Sequence, residues 1–296
     1  MFSAEFSWSV SRHDTFQRCR RRYFYSYYAA PHDPEIYRLK KLSALAMWAG
    51  NVVHDAIESF LGTHDAIPAA EAQEALIHEI VHGRMVTDWR DSEGGSERFR
   101  LFEHEYGVPV EHDDKKRVVG IVKRSMRNLF RSDTLKEAFA TGRENWLTVE
   151  DLIDYDAGGI TARLRMDLAY RNADGRIVIV DWKTGRGEGK FSEVQVAGYA
   201  LYAAEHGWAD SAEEIETELA YLARDRYVRR SVNAAGLKSA RAFIARSAAR
   251  MKELLHDPNR DLARIEDFPM IDRPYECKRC CFRRLCFPPS SDHAAG

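Results

Sequence analysis

The amino-acid sequence predicts a mixed α/β fold: a central mixed sheet containing an antiparallel meander, flanked by helices. Three observations carry this. Apolar residues recur at helical spacing through much of 31–145. At Trp146 the period changes to two, and three strand-like runs follow, split by Asp156-Ala157-Gly158-Gly159 and Asn172-Ala173-Asp174-Gly175. After Thr184-Gly185-Arg186-Gly187 the helical period returns, before two more strand-like runs and a last helix.

The 296 residues are 45% hydrophobic and 30% charged, enough for a sizeable core or two small domains. The net charge of −2 gives no global field for nucleic acid, so such binding needs local basic patches. Met1 to Val10 lacks the pattern of a signal peptide, and the longest apolar stretch, around Leu42 to Gly50, is too short to span a bilayer. A soluble cytoplasmic protein without a membrane partner is expected. Five cysteines are an odd number for a disulfide framework. Cys19 stands near the start, whereas Cys277, Cys280, Cys281 and Cys286 crowd the end.

In chain order, Ser11 is a suitable N-cap for a first helix carrying Phe16, Cys19 and Tyr23. Arg12, Arg18, Arg20, Arg21 and Arg22 interleave with Tyr23, Phe24, Tyr25, Tyr27 and Tyr28. Such a mixture suits a nucleic-acid surface, with arginines on phosphates and rings on bases. It equally suits a half-buried helix with solvated arginines, and the sequence leaves both open. Pro31 to Pro34 breaks the chain, and one long helix is expected from Glu35 to Leu61. His54 sits beside its apolar stripe, where a histidine is ordinarily a packed residue. Amphipathic helices follow at 70–90 and 115–140.

The strand Ile160 to Tyr170 alternates, with Ala162, Leu164, Met166 and Leu168 on one face and Arg163, Arg165 and Asp167 on the other. Ile177-Val178-Ile179-Val180 then reads as a buried strand that runs into Asp181-Trp182-Lys183. By the same alternation Asp181 and Lys183 share a face and Trp182 takes the other. A helix from Ser192 to about His206 sets Gln195 and Tyr199 on one face. Strands around Glu216 to Ala223 and Tyr227 to Val232 and a basic helix from Leu237 to Leu255 follow. The terminal segments 1–30 and 257–290 carry the cysteines, 31–145 is a helical region, 146–256 forms the core, and 291–296 is a frayed tail.

Asp167 and Asp181 come from neighbouring strands of the meander. Two carboxylates meeting there suit a hard cation, Mg²⁺ or Mn²⁺, and Lys183 beside them can orient a water or neutralise charge developing at phosphorus. His54 adds an imidazole, which suits Mn²⁺ better than a purely oxygen site does. Cys19, Cys277, Cys280 and Cys286 can hold zinc or a 4Fe–4S cluster, since both take four thiolates. Cys281, adjacent to Cys280, is a packing residue.

These residues together resemble the PD-(D/E)xK nuclease superfamily. Asp167 followed by Asp181-Trp182-Lys183 after a strand carries the likeness. Gly50-x-x-x-His54 and Gln195-x-x-x-Tyr199 resemble motifs of its RecB-like branch. Cys19 with Cys277-x-x-Cys280-x5-Cys286 resembles the iron–sulfur version in CRISPR-associated RecB-like exonucleases and AddB-type nuclease domains. The chain departs at Leu164-Arg165-Met166, where the family carries a glycine shortly before its first aspartate.

The resemblance implies a restriction-endonuclease-like core whose termini are closed by the cysteine set. It implies that His54, Asp167, Asp181 and the Trp182 carbonyl hold the metal, that Lys183 positions the attacking water, and that Gln195 and Tyr199 hold the lysine or the DNA. Glu150 is an outer acid near this set. The cysteines would then carry 4Fe–4S rather than zinc, tying the first helix to the last segment. Lys278, Arg279, Arg283 and Arg284, with Arg20, Arg21, Arg22 and Tyr23, would form a nucleic-acid patch. The expected activity is a metal-dependent DNA exonuclease acting at single-stranded ends, because the chain has no P-loop with which to open duplex. Alternatives are a DNA-processing subunit of a CRISPR-adaptation or helicase-containing repair complex, and an inactive nucleic-acid-binding subunit.

Overall fold

A computed structural model describes residues 1–185, 192–271 and 273–288; the expected tail at 291–296 lies outside the described residues. The chain forms two compact units, Met1–Leu42 with Ile244–Gly296, and Ser43–Phe243. Helices within 43–140 therefore fold in one unit with the sheet rather than as a separate helical region. Among the described residues no helix is long and apolar enough to cross a membrane.

In the first unit, strand β1 (Phe2–Ser3) leads to helices α1 (Val10–Arg18) and α2 (Arg20–Phe24), a π-helical turn Tyr25–Ala29, and α3 (Pro34–Lys40). Ser9, not Ser11, caps α1: its Oγ accepts the Arg12 N–H at 3.1 Å, and the Ser11 hydroxyl lies 3.0 Å from that of Ser9. An N-cap oxygen serves the N–H three residues on, and here that register begins at Ser9. The expectation that Tyr23 contacts nucleic acid is corrected. Its ring is fully buried, packed on Phe16, Tyr28 and Phe268. Phe24 and Tyr28 join it, so the rings build a core and offer no stacking surface. Arg20 lies over the Phe16 ring, 3.5 Å from its centroid, and Arg21 Nε donates to the Phe268 carbonyl at 2.7 Å.

The second unit opens with α4 (Leu45–Thr63). The single helix expected from Glu35 to Leu61 is two helices. Asp33 caps α3 with Pro34 in its first turn, and the chain leaves the helix at 41–44 because Ser43 bridges to Leu101, with Phe102 N–H donating to Ser43 O at 2.9 Å. α5 (Ala70–Glu79) continues through a π turn, Ile80–Met85, into α6 (Val86–Glu93). A short α7 (Phe102–Glu105) precedes α8 (His112–Arg131) and α9 (Asp133–Ala140), which Ser132 separates by capping the second.

Five strands follow: β2 (Trp146–Asp156), β3 (Thr161–Arg171), β4 (Ile177–Lys183), β5 (Ile215–Tyr221) and β6 (Arg226–Ser231), in that spatial order. β2, β3 and β4 are the antiparallel meander, β4 and β5 are parallel, and β5 and β6 are antiparallel. The parallel step needs a crossover, which α10 (Ser192–Glu205) lies within. β4 is buried from Ile177 to Trp182, which is why it reads as an apolar run rather than an alternation. Val178, Val180 and Trp182 join Val53, Ile57, Val122 and Met126 of α4 and α8 in one core. This is the mixed α/β sheet with flanking helices that the sequence predicts, consistent with a restriction-endonuclease-like core.

The chain returns to the first unit within α11 (Ala234–Lys252). There β7 (Leu262–Ala263) pairs with β1, α12 (Pro274–Lys278) carries Cys277, α13 (Arg283–Cys286) ends on Cys286, and Cys280 and Cys281 lie between the two helices.

Candidate active site

The acids are set by strand register. Val149 pairs with Leu168 and Asp151 with Met166, which places Glu150 across from Asp167. The β3–β4 ladder ends at Leu168 and Val180, so the next position sets Asp167 beside Asp181. Glu150, Asp167 and Asp181 thus form a row across three adjacent strands. Beyond the ladder's last pair, the Asp167 side chain takes the place of a backbone acceptor: its Oδ2 accepts the Trp182 N–H at 2.6 Å. Glu150 sits at φ 52°, in the left-handed region, a conformation costing about 1–3 kcal/mol that collects at functional sites.

α4 brings His54 to the row. Its Nδ1 lies 3.4 Å from Glu150 Oε1 and 3.5 Å from Asp167 Oδ1. One ligand atom each from His54, Glu150 and Asp167 lie within 4.8 Å of one another. Glu150 is therefore not an outer acid but stands among the candidate ligands. Burial disfavours the charged imidazole, yet the Asp167 and Glu150 carboxylates outweigh it and push the His54 pKa up to about 10. Burial also raises the Glu150 carboxyl above its ordinary range.

Asp181 stands beside this trio rather than within it. It is 1% exposed, and its Oδ2 lies 2.6 Å from Lys183 Nζ, as expected for residues two apart on one strand face. The pair is ionic without hydrogen-bond geometry at that oxygen. Burial pushes the Asp181 pKa up to about 6, against the pull of Lys183 and with the push of Asp167. Two buried carboxylates side by side on neighbouring strands, Asp167 and Asp181, are the oxygen-donor chemistry a hard cation takes.

Lys183 is held from the other side by α10. Its Nζ donates to Gln195 Oε1 at 2.9 Å, Gln195 Nε2 donates to Tyr199 Oη at 2.6 Å, and the Tyr199 hydroxyl donates to the Arg165 carbonyl. Gln195 and Tyr199 are four apart on the helix, so one face supplies both links. The chain ends on β3 two residues before Asp167. Burial drives the Tyr199 hydroxyl well above its ordinary range, so it stays a neutral donor.

Two features were missed by the sequence reading. Arg165 donates to Glu150 at 3.1 Å and reaches Glu58 of α4 at 3.4 Å, fixing the strained glutamate; strand alternation places Arg165 on this face but does not name its partner. Gly50, one turn before His54, allows a close approach of α4 to the residue that follows β4. A Cβ there would stand 3.0 Å from the Thr184 hydroxyl. No local pattern signals that contact.

In the other unit, Cys19, Cys277, Cys280 and Cys286 line one pocket with Arg22 and Phe282. Among the described residues no cysteine is in a disulfide. Cys19 joins two helices, its Sγ accepting the Arg22 N–H at 3.4 Å. Burial, with Cys280 and Cys19 nearby, pushes the Cys286 thiol up to about 11. Cys281 does not line the pocket and is buried; its hydrogen bond holds the Cys280 thiol down at about 6. Four cysteines around one cavity are the residue type that could hold a zinc ion or an iron–sulfur cluster.

No curated protein matches the chain. The family model for the PD-(D/E)XK nuclease superfamily matches residues 7–287, which takes in both the acid row and the cysteine pocket. The row of acids at the end of a meander, the lysine two residues after the last of them and this match agree, and the chain belongs to the PD-(D/E)XK nuclease superfamily.

Proposed function

We propose that this nuclease is a metal-dependent DNA exonuclease acting at single-stranded ends, with a 4Fe–4S cluster as a structural staple. The observation that carries the reading is the row Glu150, Asp167 and Asp181 with His54 at one end and the Lys183–Gln195–Tyr199 chain at the other.

Mg²⁺ or Mn²⁺, when bound, supplies Lewis-acid polarisation of the scissile phosphate. His54, Asp167, Asp181 and the Trp182 carbonyl hold it, with Glu150 as a further ligand. Lys183 positions the attacking water and offsets charge on the phosphate oxygens. Gln195 fixes the ammonium, and Tyr199 fixes Gln195 against β3. Asp167, by accepting the Trp182 N–H, sets the angle between β3 and the segment carrying Lys183. Arg20, Arg21 and Arg22 contact the phosphates of the bound strand. Cys19, Cys277, Cys280 and Cys286 hold the cluster, which joins α1 and α2 to the α12–α13 segment of the same unit. The family likeness of this split set favours the cluster over zinc. A helicase or a CRISPR-adaptation complex is a fitting partner, since an enzyme for single-stranded ends needs its duplex opened.

The test is degradation of end-labelled DNA by the purified chain with Mn²⁺ or Mg²⁺. Lys183→Ala is expected to lower the rate by about 10²-fold or more, while preserving the fold and a brown, oxygen-sensitive chromophore. Equal inertness of wild type and variant overturns the enzyme reading. A folded, colourless, zinc-loaded protein purified without oxygen overturns the cluster.

A further inference from the structure

The sheet end that carries the acids continues past Lys183. β4 and β5 run parallel with Lys183 opposite Tyr221, and β5 and β6 run antiparallel with Tyr221 opposite Arg226. Residues directly opposite in a ladder share a face. Lys183, Tyr221 and Arg226 therefore line one face at that end, two strand spacings or about 9–10 Å from first to last. The Arg226 guanidinium lies over the buried Tyr221 ring, 5.5 Å from its centroid, which anchors it on that face. Arg224 belongs to the turn joining the two strands, Leu222–Arg224 followed by Asp225 at φ 52°. α8 holds this turn in place. Asn128 Nδ2 donates to the Leu222 carbonyl at 2.7 Å, and the Tyr227 hydroxyl donates to the Asn128 carbonyl at 3.1 Å. Both arginines are exposed, and among the described residues Arg224 makes no ion pair.

The two directions away from Lys183 differ in charge. Toward β2 lie the acid row and cations already paired: Arg165 with Glu150 and Glu58, and Arg163 with Asp154. Lys183 itself is paired with Asp181. A strand bearing one negative charge per nucleotide meets carboxylates in that direction and Arg226 and Arg224 in the other. We propose that Arg226 and Arg224 form a phosphate subsite for the nucleic-acid substrate, and that the bound strand crosses the sheet end from the acid row toward β6. The substrate class rests on the nuclease reading. Arg226 holds a phosphate next to the scissile one, and Arg224, on the turn, holds the one beyond. Contacts to phosphates set register without reading bases, so the subsite positions the strand and does not select sequence.

The test is binding without cleavage. Full-length protein in chelator is titrated with a labelled oligothymidylate by fluorescence anisotropy over a range of salt concentrations. Arg226→Ala and Arg224→Ala are each expected to flatten the slope of log affinity against log salt by about 0.7, and the double variant by about 1.4. Arg226→Lys keeps the charge and is expected to keep the slope, which a merely structural arginine would not. Arg230→Ala removes an equal charge from the same face of β6, but one tied to Glu193, and is expected to bind with the wild-type slope. With Mg²⁺, the cleavage defect of Arg226→Ala should lie in KM rather than in kcat. An unchanged slope in both alanine variants, or an equal flattening in Arg230→Ala, overturns the subsite. Wild type that binds with these slopes and does not cleave overturns the nuclease reading and leaves the subsite standing.

Discussion

The acid row and the cysteine pocket both gather side chains of the types that bind metals, but they are built in opposite ways. The acids sit on three consecutive strands, and two ladders set their spacing before any ion is considered. The cysteines come from opposite ends of the sequence: Cys19 lies between α1 and α2, Cys277 and Cys286 lie in α12 and α13, of five and four residues, and Cys280 lies between those two. Helices that short are marginal by themselves. A strand-built site is carried by its scaffold, whereas a site built on such short helices has to carry its own scaffold. Damage to the first should cost rate and leave the fold; damage to the second should cost the fold.

The largest expected effect is in the cysteine pocket. Cys280→Ser should bleach the protein and remove the cooperative melting of its unit, because metal binding of this kind is linked to folding by about 10 kcal/mol or more. Absorbance and calorimetry on the same sample check this. A variant that loses colour and melts like wild type breaks the contrast. Next is Lys183→Ala, expected to cost about 10²–10⁴ in single-turnover rate with native circular dichroism retained. Unfolding of this variant would show that the lysine is structural.

Gly50→Ala sharpens the comparison by displacing α4 against the end of β4. Its new methyl meets the Thr184 hydroxyl, and such overpacking costs about 1–3 kcal/mol. Gly50→Ala/Thr184→Ala should recover part of that loss in stability, and full additivity in denaturant melts would remove the contact from the account. The smallest effect is Asp181→Asn, which replaces a fully buried charge beside Asp167. Because folding raises the Asp181 pKa to about 6, its charge works against the fold above that pH, so metal-free protein at neutral pH is expected to gain about 1 kcal/mol in stability while losing activity, measured by urea titration in chelator beside the cleavage assay. A loss of stability would mean that the Lys183 pair outweighs the burial.

Much of the row was legible in the sequence because strands encode direction. Alternation in β3 exposes Arg163 and Arg165, and the continuous run in β4 leads straight to Asp181 and Lys183. The helical spacing of Gln195 and Tyr199 likewise put both on the lysine's side. What was not legible depends on distant partners. The break between α3 and α4 is made by Leu101, and the Gly50 approach by Thr184. Glu150 gained its place from a left-handed backbone opposite Asp167, which no pattern announces. Tyr23 misled for a different reason: arginines mixed with aromatics describe a stacking surface and a ring-packed core equally well, and only burial separates them.

The central claim is that the row binds the catalytic cation and that Lys183 acts on what the cation holds. Mn²⁺ binding followed by electron paramagnetic resonance, in wild type, Asp167→Asn and Lys183→Ala, separates the two parts. Asp167→Asn should weaken Mn²⁺ binding by about 10–100-fold or more and abolish cleavage, whereas Lys183→Ala should bind Mn²⁺ like wild type and not cleave. Unchanged Mn²⁺ affinity in Asp167→Asn, or cleavage surviving in Lys183→Ala, would contradict it.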